Sequence, residues 1–472
     1  MEQKTTFALF FGNRGFFPAS LIEQARQDIP RVLKSMGHEV LMLDQQATRY
    51  GAVETLKEGH IFADFLHQKR GKFGGVILCL PNFGDENGAA TALRDAGVPI
   101  FVQAYPDELD KMSPALRRDA FCGKLSIMDV FNQGGLAFTV RTPHVVDPTS
   151  DRFRENVVYF DRVCRAVNAV RGMVVGEIGA RTTPFKTVRI DEITLQQHGI
   201  TVETFDLSSV FEAMGKISAT DAGLKKKMQK LKGLASFEGV PESAVENLAR
   251  LGMVLDGLVA EYEMDALSIR CWSELQEQLH ISPCLVNGEM IERGIPVACE
   301  IDTGSAVTMH ALGSASGRPT AILDWNNNYG EEDEKCILFH CGNAPASMMT
   351  AKGRISDHLI LKNAIGPNKG FGCNVGRFAT TDFTFGGLLT DAGRIKAYLG
   401  QGRFTGEKIP DDFFGVAGVA HLEGLQEVLI HIGKNGFRHH VALTPGSVCE
   451  PVGEALEKYL GFDVTVPQEP RV

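Results

Sequence analysis

Two acids stand where apolar strands run out. In "PVACEIDTG" (296–304) a short core-type run, Pro296–Cys299, ends on Glu300, and in "TAILDWNNNY" the run Thr320–Leu323 ends on Asp324. Two histidine features share that third of the chain. His340 closes the apolar run of "ILFHCGN", and His439 and His440 lie inside the strand-like "GFRHHVALTPG". Carboxylate oxygens with imidazole nitrogens, and no thiolate, suit a divalent Mn²⁺-like or Mg²⁺-like ion. Two carboxylates on one cation also leave an oxygen free for abstracting a proton beside a carbonyl. Taken singly, each feature has a plainer reading. Glu300 can cap the helix suggested by "TGSAVTMHALG", Asn326, Asn327 and Asn328 after Trp325 can make a turn, and a lone buried histidine is usually a satisfied core residue. Their common placement at strand ends is what points to chemistry.

Weaker signals surround them. The loop Arg181–Lys186 offers Arg181, Thr182 and Lys186 as donors for a polar ligand, and a plain surface loop explains it equally well. Gly366, Gly370, Gly372 and Gly376 imitate a dinucleotide loop but do not join a strand to a helix near a chain start, so they are discounted. Cys341 beside His340 resembles a nucleophile pair, but neighbours in a strand face opposite sides.

These residues need a frame. Strand patterns at Thr6–Phe11, Glu39–Leu43, Gly75–Leu80, Ile100–Gln103 and Leu136–Val140 alternate with helical patterns at Ser20–Met36, Ala89–Ala96 and Arg152–Val170. That βαβ rhythm predicts an N-terminal α/β domain over 1–170, an open parallel sheet with helices on both faces. A second α/β domain, 171–317, follows the same rhythm. From 318 to 472 short strands, glycines and aromatics predict a β-rich, antiparallel, barrel-like domain. The fold class is therefore α/β, two doubly wound Rossmann-like domains followed by a β-rich one. The lysines of "GLKKKMQKLKG" (223–233) read as a solvated helix face.

Bulk properties narrow the function classes. The 472 residues are 44% hydrophobic and 22% charged, an ordinary globular composition. A formal net charge of −10 argues against nucleic acid or an anionic membrane as partner. Ten cysteines without a CxxC pair suggest reduced thiols and a cytoplasmic location, and no run is apolar enough for a membrane helix.

On "ACEID", "ILDWN", "LFHCGN" and "GFRHH", the chain resembles the L-fucose isomerase and L-arabinose isomerase superfamily over its whole length, as a divergent member. The resemblance implies that Glu300 and Asp324 bind Mn²⁺, or another divalent cation, and both act in proton transfer. It implies His340 and His440 as further ligands, with His440 chosen over His439. The chain is shorter than the well-known fucose isomerases, and its second acid is Asp where arabinose isomerases use Glu. Divergent members include isomerases of modified hexoses such as sulfoquinovose. The implied activity is aldose–ketose isomerisation of a deoxy-, pento- or 6-modified sugar, with Arg14, Arg181, Lys186, Trp325, Asn326 and His439 as substrate contacts. An anionic substituent would suit the three cations, and a neutral sugar is equally consistent with them. The resemblance further implies a homotrimer or homohexamer in which "GNRGFFP" and "PNFGDENG" reach across the interface. A metal-dependent epimerase or aldolase, or a non-catalytic sugar-binding protein, would use the same residues.

Overall fold

Strands without polar alternation must be covered on both faces. In the computed structural model, which describes residues 4–182 and 184–468, the first compact unit, Met1–Asn168, is built that way. Its strands β1 (Phe7–Phe11), β2 (Val40–Met42), β3 (Gly75–Leu80) and β4 (Ile100–Ala104) form a parallel sheet in the order β2-β1-β3-β4. Every residue of β1, β3 and β4 is buried. One face packs Phe10, Leu78 and Val102 against Phe62, Ala89 and Phe131, and on the other Phe7 and Phe101 meet Phe160 of the helix Asp151–Val170.

Two expectations are corrected here. Leu136–Val140 is not a strand; only Thr139 forms a bridge, to Phe101, because only that residue meets the edge of β4, bonding Ile100 and Val102. The third helix starts earlier than expected, at Glu86, because Asp85 accepts from Gly88 N (2.7 Å) and caps it.

The second unit, Ala169–Val472, holds both the second parallel sheet and the β-rich region. β5 (Val174–Ile178), β6 (Thr201–Phe205), β8 (Ala266–Ile269) and β9 (Val297–Cys299) pair in the order β6-β5-β8-β9, all parallel. Between them in sequence, β7 (Ala235–Ser236) joins the other sheet. That sheet continues with β10 (Ala321–Asn328), β11 (Lys335–His340), β12 (Gly353–Ser356), β13 (Cys373–Arg377), β14 (Thr381–Asp391), β15 (Arg394–Phe404), β16 (Val416–His421), β17 (His440–Pro445) and β18 (Asp463–Thr465). An extra pairing of β15 with β16 closes β14-β17-β10-β11-β16-β15 into a six-stranded antiparallel barrel. Closure removes the exposed edges that an open antiparallel sheet would leave. Leu323, Leu338, Phe383, Phe385, Tyr398 and Leu443 share one core with the helix Leu425–Asn435.

The asparagines after Trp325 are not a turn but the end of β10, with a bulge between Trp325 and Asn327. The lysine-rich helix Ala222–Leu234 is only partly a solvated face: Lys227 is 7% exposed and pairs with Glu289 (2.9 Å) and Asp256 (2.8 Å). Among the described residues no helix is long and apolar enough to cross a membrane.

Candidate active site

The carboxyl end of β9 and one rim of the barrel supply the site. β9 runs directly into Glu300 and Ile301, both left-handed (φ +59° and +60°). For a β-branched residue that backbone is an outlier, and such strain costs about 1–3 kcal/mol per residue. The helix Thr303–Ser316 that follows is capped by Asp302, which accepts from Ser305 N (3.0 Å). Capping is thus assigned to Asp302, and Glu300 is released from it. Its Oε1 receives Trp272 Nε1–H (3.3 Å) and the Cys271 thiol (3.6 Å). Its Oε2 has no hydrogen-bond partner although it is buried.

The barrel contributes the rest. In the antiparallel register Asp324 of β10 lies opposite His440 of β17, so both side chains project from one face. His340 is the last residue of β11. His440 Nε2 is 2.9 Å from Glu300 Oε2 and 3.4 Å from Asp324 Oδ1, and His340 Nε2 is 3.9 Å from Glu300 Oε2. All four atoms are buried, and none makes a hydrogen bond. His440 Nε2 thus faces both carboxylates without a hydrogen bond to either. Glu300, His340 and His440 offer ligand atoms within 4.8 Å of one another, as do Asp324, His439 and His440.

The two buried histidines are held differently. His440 Nδ1 contacts Asp302 Oδ2 at 2.8 Å, and Asp302 in turn accepts from Arg438 (2.8 Å). An Nδ1–H committed to a carboxylate leaves the Nε2 lone pair for a cation. His340 Nδ1 accepts the Cys341 backbone N–H (2.9 Å), which places the proton of the neutral ring on Nε2. His340 must shift that proton before it can ligate.

Burial alone would protonate Glu300, but the neighbouring His440 and His340 and the Trp272 N–H hold its pKa down to about 2. Burial acts on Asp302 in the same sense, and Arg438 and His440 likewise bring it to about 2. Burial works against a charged His440, yet Asp302 and Glu300 raise its pKa well above the ordinary imidazole range, so a cation would take Nε2 by displacing a proton from it. Burial pushes the Cys341 thiol well above its usual value, which is the wrong direction for a nucleophile.

The remaining expected contacts divide. His439 is 43% exposed at the mouth, 3.7 Å from Asp324 Oδ1. Phe185 packs edge-on against Trp272 (5.5 Å) and His439 (5.4 Å) and lies 6.1 Å from the His440 ring. It carries the loop of Arg181 and Lys186 to the mouth, with Lys186 exposed beside it. Trp325 points the other way, edge-on to Phe385 in the barrel core, and with Asn326 it lines a separate open cleft of about 490 Å³. Arg14 belongs to the first unit, where it stacks on Phe83 and pairs with Glu86. Sequence reasoning missed Asp302, Arg438, Trp272 and Phe185. Only Asp302 had a usable signal, an acid three residues before Ser305 at the start of an apolar helix.

This architecture and constellation define a carbohydrate isomerase scaffold, and comparison with known families agrees. A model described as "Fucose/sulfoquinovose isomerase, N-terminal domain" matches residues 8–171, and one described as "L-fucose isomerase, C-terminal domain" matches residues 338–467. The chain belongs to this family of carbohydrate isomerases. Proteins named sulfoquinovose isomerase from Priestia aryabhattai and Priestia megaterium are each 22% identical, covering 98% of this chain and 99% of their own. One from Alkalicoccus urumqiensis is 23% identical over 65% of this chain and 68% of its own.

Proposed function

We propose that this protein is a divalent-cation-dependent aldose–ketose isomerase acting on a 6-modified aldohexose, with a sulfonated sugar as the favoured substrate. The reading rests on one observation: His440 Nε2 lies 2.9 Å from Glu300 Oε2 and 3.4 Å from Asp324 Oδ1, and these three atoms, with His340 Nε2 3.9 Å from Glu300 Oε2, are buried without hydrogen bonds. Unsatisfied buried groups cost about 1–3 kcal/mol each, more when charged, so a fold keeps four together only where something else meets them. Two carboxylates and the Nε2 of His440 fit a hard cation such as Mn²⁺.

A bound cation supplies Lewis-acid polarisation of the sugar carbonyl and its neighbouring hydroxyl. The side chains do the rest. One of Glu300 and Asp324 takes the proton from C2 of the open-chain aldose and returns it to C1, while the other manages the proton between the two oxygens. Trp272 and Cys271 fix Glu300 through Oε1, which leaves Oε2 turned toward His440 and the cation site. Phe185 and Trp272 wall the site from water, which strengthens its electrostatics. Lys186 and Arg181, on the loop that carries Phe185, are the cations assigned to a sulfonate in this reading. The names of the Priestia relatives favour that substituent. Self-association to a trimer or hexamer and a reducing, cytoplasmic setting complete the proposal; the ten free cysteines agree with the latter.

The test is direct. Chelator-treated protein receives Mn²⁺ and sulfoquinovose, glucose or fucose in D₂O, and products are followed by NMR. Ketose carrying deuterium at C1 from sulfoquinovose is the expected result. An inverted aldose would make the protein an epimerase, cleavage an aldolase, and no change with any sugar a binding protein.

A further inference from the structure

We propose that Asp302 and Arg438 form a positioning pair that holds His440 in its cation-binding orientation and tautomer. The proposal rests on the cation reading above. Asp302 is fully buried, and its two oxygens accept from His440 Nδ1 (2.8 Å), Arg438 (2.8 Å), Ser305 N (3.0 Å) and Ser305 Oγ (2.6 Å). A carboxylate has about four lone-pair sites, and all are in use.

Helix capping does not account for this arrangement. A cap needs one acceptor, and serine or asparagine serves as well as aspartate. It does not need a guanidinium 3% exposed inside the protein. Seating that guanidinium constrains position 304: a Cβ at Gly304 would collide with Arg438 and approach the Leu388 carbonyl at 2.9 Å. Glycine at 304 therefore leaves the room that the guanidinium occupies. What Arg438 secures is the orientation of the Asp302 carboxylate: its bond to Oδ1, with those of Ser305, keeps Oδ2 against His440 Nδ1. Asp302 and Arg438 touch neither the substrate space nor the ligand atoms; they act through His440.

The test uses chelator-treated full-length protein titrated with Mn²⁺, with free Mn²⁺ read by electron paramagnetic resonance, beside thermal melts of the cation-free forms. Wild type is expected to bind one Mn²⁺ per chain. Asp302→Asn keeps a capping side chain, and both it and Arg438→Met are expected to bind Mn²⁺ about 10–100-fold more weakly. In ¹⁵N-histidine-labelled, Mg²⁺-loaded wild type, His440 should carry its proton on Nδ1. Wild type that binds no Mn²⁺ overturns the cation reading and this proposal with it. Wild-type binding with unchanged affinity in both variants overturns the pair alone. If a variant does not fold, a His440 proton found on Nε2 in the Mg²⁺-loaded wild type overturns it equally.

Discussion

Two buried clusters of charge lie in the same unit and look alike until their hydrogen bonds are compared. Glu289 is 1% exposed and accepts from Lys227 (2.9 Å), Lys230 (2.5 Å) and Arg293 (2.9 Å), while Asp256 takes the other contacts of Lys227 and Arg293. Glu300 is 6% exposed among His440, His340 and Trp272. Burial pushes both carboxyls up, and their partners bring both down to about 2. A depressed carboxylate therefore does not mark a site. The difference lies in hydrogen bonding: Glu289 has both oxygens matched, whereas Glu300 Oε2, Asp324 Oδ1, His340 Nε2 and His440 Nε2 are buried without a hydrogen bond. The first is arranged to stay as it is, the second to receive something.

That contrast can be broken in several ways. Glu300→Gln should lower kcat by roughly 10²–10⁴-fold and leave the melting temperature nearly unchanged; a variant with near-normal kcat would place the acid–base work elsewhere. Glu289→Ala should do the reverse. It leaves Lys227 in the interior with Asp256 as its remaining partner and should cost about 3 kcal/mol in urea unfolding, with kcat per folded molecule kept; a loss of turnover without a loss of stability would show the two clusters to be one.

Acid sharpens the comparison. The Glu289 pKa is lowered from 4.5 to about 2 on folding, so its stabilisation is fully present above about pH 4.5. It should disappear as pH falls toward 2, removing about 3 kcal/mol. Acid titration of unfolding free energy, wild type against Glu289→Gln, should show that slope in wild type and a flatter curve in the variant.

Mn²⁺ at a hundred times its dissociation constant should add about 2.7 kcal/mol to wild type and to Glu289→Gln. His440→Gln should gain almost nothing. His340→Asn should keep more of the gain, because His340 Nδ1 already accepts a backbone N–H. The smallest effect belongs to Lys186→Ala, which should raise KM several-fold for a sulfonated sugar and leave a neutral one unaffected, because an exposed ion pair is worth at most about 1 kcal/mol.

Much of this was legible in the chain. Gly75–Leu80 was readable to the residue because a fully covered strand is apolar at every position. The barrel was readable as a region, since glycine- and aromatic-rich short strands have few other ways to bury themselves. Glu300, Asp324 and His340 were conspicuous because each ends an apolar run, whereas His440 opens one and was singled out by the family resemblance. Lys227 was not, because its partners Asp256 and Glu289 lie far along the chain on other helices. Phe185 was not, because an aromatic in a loop carries no sign of what it covers. Leu136–Val140 misled because strand propensity says nothing of how much of a run meets its neighbour, and here only Thr139 meets β4.

By itself the order of residues determined the layered α/β architecture, the barrel-forming segment and which acids and imidazoles were available, since those follow from local periodicity and from where polarity interrupts it. Only the tertiary structure decided what each did. It made Asp302 the helix cap and freed Glu300, it turned Trp325 into the core while Asp324 faced His440, and it gave the two buried histidines opposite Nδ1 partners. Such roles depend on which distant group meets each donor and acceptor, and chain closure sets those meetings, not residue type.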